Sequence, residues 1–225
     1  MSIRTRALVF STFFGSCIAI GLLLASLTTN HWVRANLRRG NSTDSKGEIN
    51  YGLFYGNKYL NSGFGVRVNP VYVYSLITTE PQSMSFWLWL ITALGTGFGL
   101  LGCAVAAIAS VLKAASAPKK PGAMMLLLVS NISSAVAQVI AFVCWLIQFY
   151  QYLQHQVLAL DDHKLHWYSH GLAYLGYSFY MVIASTLVVF LNISVLIYAK
   201  SCEKRDERRM YPASDDKTQS AIMLY

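Results

Sequence analysis

From Ala7 to Thr29 the chain carries no charged side chain, and three comparable runs follow: Phe86 to Leu112, Gly122 to Leu160 and Gly171 to Ala199. Lipid offers a backbone no hydrogen-bond partner, so a span must be a helix of about 20 apolar residues, and every run is long enough. With 55% hydrophobic and only 12% charged residues among 225, the composition excludes an ordinary soluble domain. The expected fold is an all-α membrane bundle of four transmembrane helices.

The flanks refine the boundaries. The first span, 7–29, exceeds the apolar region of a secretory signal, lacks a small-residue cleavage site, and is read as retained. The second, 86–112, opens with Phe86-Trp87-Leu88-Trp89, an aromatic cluster suited to the headgroup level. At about 1.5 Å per residue the third uncharged run exceeds one crossing. Its span is placed at 122–147, in a helix projecting outward to about residue 158; Gln148, Gln151, Gln154 and His155 mark the exit from hydrocarbon. The fourth span, 174–199, ends sharply at Lys200.

Four crossings put Arg4, Arg6, Lys113, Lys119, Lys120, Lys200, Lys204, Arg205, Arg208 and Arg209 on one side, which the positive-inside rule makes the cytoplasm. Both termini are then cytoplasmic, residues 30–85 and 148–173 form extracellular loops, and a short cytoplasmic loop at 113–121 joins the second span to the third. Because the first loop also holds Arg34, Arg38, Arg39, Lys46, Lys58 and Arg67, charge alone does not decide. Asn41-Ser42-Thr43 adds a second clue: it is an acceptor for an N-glycan at Asn41, in a polar segment of that loop. Asn131 and Asn192 head the same pattern inside spans and are read as packing residues.

Cys17, Cys103 and Cys144 fall within spans and Cys202 just beyond the last, so no disulfide is available to the outer loops. The first loop must be ordered by strand pairing. Strands are expected over Glu48–Tyr55 and Phe64–Leu76, the latter alternating through Val66, Val68, Val71 and Val73, to give a small antiparallel β-sheet. The apolar side of Tyr51 to Tyr55 is expected to seat this sheet on the helix ends.

Small residues recur at four-residue spacing in two spans: Ser11, Gly15 and Ala19, then Gly95, Gly99, Cys103 and Ala107. Such ridges let helices approach closely. They are expected to face each other or a neighbouring subunit; packing inside one bundle is preferred to a dimer contact. Ser130, Ser134 and Gln138, with Asn131 beside them, form a polar stripe expected to bond across helices, as glue rather than a permeation path.

No charged group stands at the centre of a span, as pumps and channels usually require, and no redox or hydrolase motif occurs. No enzyme activity, cofactor or nucleic-acid partner is read from the chain. His163, His166 and His170, if helical, share a face and could bind zinc; a hydrated loop is the plainer reading. The basic cluster after span four suits anionic lipid, or is simply the orientation signal. The tail ends apolar, at Met223-Leu224-Tyr225, an ending that can add to a PDZ-type groove.

Trp32 beyond the first span, and Tyr51-Gly52-Leu53-Phe54-Tyr55-Gly56 in the large loop, resemble the W…GLW pattern of the claudin group in its clarin form. Tyr177-Ser178-Phe179 at the start of span four and the tail ending Ile222-Met223-Leu224-Tyr225 are also similar to clarins. The resemblance covers the whole chain. It implies a left-handed, claudin-like bundle in the plasma membrane and a non-enzymatic organiser of actin-based or junctional membrane complexes in sensory cells. An auxiliary subunit of a channel or receptor is the alternative. One departure matters: the cysteine pair that follows this motif in claudins is absent, which argues against tight-junction strands.

Overall fold

The computed structural model describes residues 3–39, 46–61, 65–80, 82–115, 121–155, 157–158, 162, 164 and 166–210. In chain order these form α1 (Ile3–Thr28), β1 (Val33–Arg39), β2 (Lys46–Tyr51), β3 (Tyr55–Asn61), β4 (Val66–Tyr72), α2 (Val73–Thr79), α3 (Phe86–Ala115) and α4 (Pro121–Gln148). A π-helical turn, Phe149–Leu153, continues α4 and precedes β5 (Trp167–Tyr168), β6 (Ala173–Leu175) and α5 (Tyr177–Met210). Four of the helices, α1, α3, α4 with its π turn, and α5, are long and apolar enough to cross a membrane.

The small-residue ridges pack within the bundle, but not against each other. A methyl group on Gly15 would fall 2.1 Å from Asn192 Oδ1, so that ridge faces α5. On α3, methyls at Gly95 and Gly99 would meet the Ala137 carbonyl at 2.8 Å and Gln138 Cγ at 2.6 Å, so that ridge faces α4. Ala19 and Cys103 are buried, whereas Ser11 is exposed and bonds within its own helix. At Gly15 and Gly99 the facing surfaces are matched by size: a glycine lies where the neighbour carries a side-chain amide, Asn192 or Gln138.

Hydrogen bonds then join what the glycines bring close. Ser134 Oγ donates to the Gly99 carbonyl at 2.7 Å, and Asn192 Nδ2 donates to the Thr12 carbonyl at 3.3 Å. Gln138 Nε2 donates to Ser134 Oγ, and the Thr186 hydroxyl donates to Gln138 Oε1. In this setting such bonds contribute about 0.6 kcal/mol each, so shape and polarity act together. At the bundle end away from the sheet, Lys113 pairs with Glu203 at 3.2 Å and ties α3 to α5.

The sheet is larger than the sequence indicates. Its order is β4-β3-β2-β1-β5, with β6 also on β1 and every pairing antiparallel, so both inter-helix loops contribute. Alternation gives it a buried face, with Val33, Ala35, Leu37, Ile49, Tyr51 and Trp167, which joins the core at the bundle's end. The edge strand β4 contains Pro70, which offers no N–H to a further strand, a common protection of open edges.

Two expected strands are corrected. The one placed over Glu48–Tyr55 breaks at Gly52, where the chain turns and the Gly52 N–H donates to the Tyr55 carbonyl at 2.9 Å. A Cβ there would lie 2.7 Å from the Thr29 carbonyl, a closeness that glycine alone tolerates. The one placed over Phe64–Leu76 ends at Tyr72, and α2 follows with Val73, Leu76 and Ile77 buried at helical spacing. The interval from Val68 to Val71 already breaks the period of two.

Candidate functional site

Where the sheet meets the helices, four aromatic and apolar anchors converge. Trp32 is fully buried directly after α1, with its indole N–H donating to the Ser26 carbonyl at 2.8 Å. Its ring meets Trp145 of α4 edge-on at 4.9 Å and Phe179 of α5 at 6.5 Å. The main chain of Trp32 is held on both sides: its N–H donates to the Tyr51 carbonyl, and its carbonyl accepts from the Gly176 N–H. One residue therefore touches β2, α4 and the start of α5.

The Tyr51-Gly52-Leu53-Phe54 stretch completes the seat. Tyr51 is buried and its hydroxyl donates to the Val157 carbonyl at 2.9 Å, linking the two loops. Burial first, and then the Asp162 and Glu80 carboxylates, push this hydroxyl's pKa up, so it stays a neutral donor. Leu53 is fully buried, and its carbonyl accepts from the Trp89 indole N–H at 2.7 Å. Phe54 lies half exposed with its ring edge toward Trp89. The short apolar stretch is a plug that fixes the sheet to α3.

Charged groups order the surrounding surface. Arg34 bonds Glu48 at 2.5 Å across β1 and β2, and its guanidinium lies 5.8 Å from the Tyr174 ring centroid. The hydrogen bond from Arg34 holds the Glu48 carboxyl below the usual range, and reciprocally raises the Arg34 pKa. His31 stacks on Tyr177 at 4.7 Å, with Tyr177 Oη 3.1 Å from His31 Nδ1. Burial, then the Arg34 charge, lower the His31 pKa. Lys58 and Asp162 form a nearly enclosed pair at 2.6 Å, tying β3 to the second loop.

Other sequence-marked residues lie elsewhere. Asn41, His163, Met223, Leu224 and Tyr225 fall outside the described residues. Among the described residues, His166 and His170 do not share a helical face: His166 has φ 61°, Trp167–Tyr168 is a strand, and His170 lies in a turn beside His155. Among the described residues no group of three His, Cys, Asp or Glu side chains is placed to hold a metal. Lys200, Lys204 and Arg205 are exposed near the end of α5, which extends past the expected span limit of residue 199 to Met210.

Sequence reasoning missed the role of Gln148. It reads as the point where α4 enters water, yet the side chain is completely buried and neither end of its amide finds a partner among the described residues. A four-three spacing from Gln138 through Ala141 and Trp145 was the available signal. No protein-family model and no curated protein matches the chain.

Proposed function

We propose that the chain is a clarin-type protein of the plasma membrane, with both termini in the cytoplasm. It organises cytoskeletal or junctional membrane complexes in sensory or other specialised cells and catalyses no reaction. The observation that carries this reading is the seat itself: Trp32 and Tyr51-Gly52-Leu53-Phe54, the residues of the family resemblance, are spent on anchoring a sheet to a four-helix bundle. That leaves Val66, Val68 and Tyr72 of β4, and the basic end of α5, exposed for contacts with other molecules. The claudin-like, left-handed arrangement of the helices belongs to the same reading. Asn41 carries an N-glycan, the basic tail meets anionic lipid, and Met223-Leu224-Tyr225 engages a PDZ-type adaptor.

The test is purification of the full chain from mild detergent without crosslinking, beside a variant lacking Leu224 and Tyr225, with quantitative mass spectrometry of what accompanies each. Cytoskeletal or junctional adaptors should accompany the parent and drop away from the truncated chain. A stoichiometric channel or receptor subunit in both samples instead overturns the proposal in favour of an auxiliary subunit. A glycosidase mobility shift that disappears in Asn41→Gln checks the topology.

A further inference from the structure

Along α4, the residues Asn131, Ser134, Gln138, Trp145 and Gln148 share one face, and all are at most 1% exposed. The lower part of this stripe is bonded within the protein: Asn131 donates to the Leu127 carbonyl, Ser134 to Gly99, and Gln138 to Ser134 while accepting from Thr186. Ala141 then interrupts the polar sequence. Beyond it, Trp145 Nε1, Gln148 Oε1 and Gln148 Nε2 find no partner among the described residues. The other two anchoring tryptophans behave differently, since Trp32 and Trp89 both donate to carbonyls.

Three buried polar atoms one helical turn apart are costly unless something bonds them. Their chemistry is complementary to water: two kinds of N–H donor need an acceptor, and the amide oxygen needs a donor. The helix also departs from α geometry at the next residue, with the Gln154 N–H donating to the Phe149 carbonyl five positions back. Such π turns recur at functional sites. The Lys58–Asp162 pair and the second-loop histidines show no comparable unmet demand among the described residues.

We infer that Trp145 and Gln148 form an internal hydration site, holding one or two ordered waters at the joint between bundle and sheet, beside Trp32. Water accepts from Trp145 Nε1 and Gln148 Nε2 and donates to Gln148 Oε1. The site makes the seating of the sheet depend on a polar filling that an apolar side chain cannot replace.

The test uses the full chain in lipid nanodiscs with ¹⁵N-labelled indoles, reading transfer of magnetisation from water to each Trp N–H. Trp145→Phe identifies the resonance, and the signal displaced by Gln148→Leu identifies it independently if that variant does not fold. Trp145 is expected to receive magnetisation from water despite its burial, while Trp32 and Trp89 do not. Gln148→Leu should abolish the transfer and lower the melting temperature. A Trp145 N–H silent to water, or a Gln148→Leu protein that melts higher than the parent, overturns the inference.

Discussion

At Gly176 a methyl group would come within 1.9 Å of the His31 carbonyl oxygen, the tightest such approach among the described glycines. Gly176→Ala is expected to cost about 1–3 kcal/mol through overpacking, read as a fall in melting temperature in detergent. Gly97→Ala, with nothing within 4 Å of the added methyl, should leave it unchanged and serves as control. His31 next to it predicts a pH dependence. Because burial and Arg34 lower its folded pKa, the folded state favours neutral imidazole. That stability is complete above the ordinary value of 6.5 and is lost as pH falls through the lowered one. Melting should therefore move down as pH falls below 6.5, and His31→Gln should flatten the slope. Glu48, depressed by Arg34, adds a similar loss only at more acidic pH, below the usual carboxylate range of about 4. The seating of the sheet by Tyr51 to Tyr55 was legible from apolar residues in a wet loop, whereas Trp32 was marked only through the family resemblance and not as an anchor. Gln148 was not legible, because a polar side chain at the end of an apolar run looks the same whether it meets water or is roofed by a sheet.

Among the elements, the helices were legible and the strands only partly so. A run of apolar residues longer than the bilayer is thick admits one structure, whereas short strands depend on partners distant in sequence. β1, β5 and β6 have weak patterns of their own and exist through mutual pairing: Ala35 lies opposite both Ile49 and Ala173. α2 was hidden because Val71 and Val73 fit a period of two while Val73, Leu76 and Ile77 fit a helix. Lys58 and Asp162 join β3 to the second loop and were invisible as a pair at such separation. Removing one partner of a nearly buried pair strands the other, at a cost of about 3–5 kcal/mol. Lys58→Met should therefore speed proteolysis and hydrogen exchange around residue 162. Lys58→Met with Asp162→Leu should recover much of the loss; a double variant as unstable as the single one would show that the pair holds no such role.

As a whole, the molecule is a bundle joined to a sheet through one shared core, which runs from Ala19 and Val189 inside the bundle to Leu37 and Trp167 in the sheet. The sheet and second loop should therefore open as one unit. Tyr51→Phe removes the hydroxyl that satisfies the Val157 carbonyl, at about 1–3 kcal/mol. Hydrogen exchange should then rise together in β1, β2 and β6, with α3 and α4 unchanged along their centres. Faster exchange in β2 alone would contradict that coupling. The pairing of β1 with β6 reaches further still. β1 follows α1 closely and β6 precedes α5, and Val33, Arg34 and Ala35 are matched to Leu175, Tyr174 and Ala173. Strand registry advances in steps of about 3.4 Å, while one residue of helix rises about 1.5 Å. A piston stroke of the first helix past the last would have no intermediate setting to rest in, so axial load on either is handed to the other instead of being relieved by sliding.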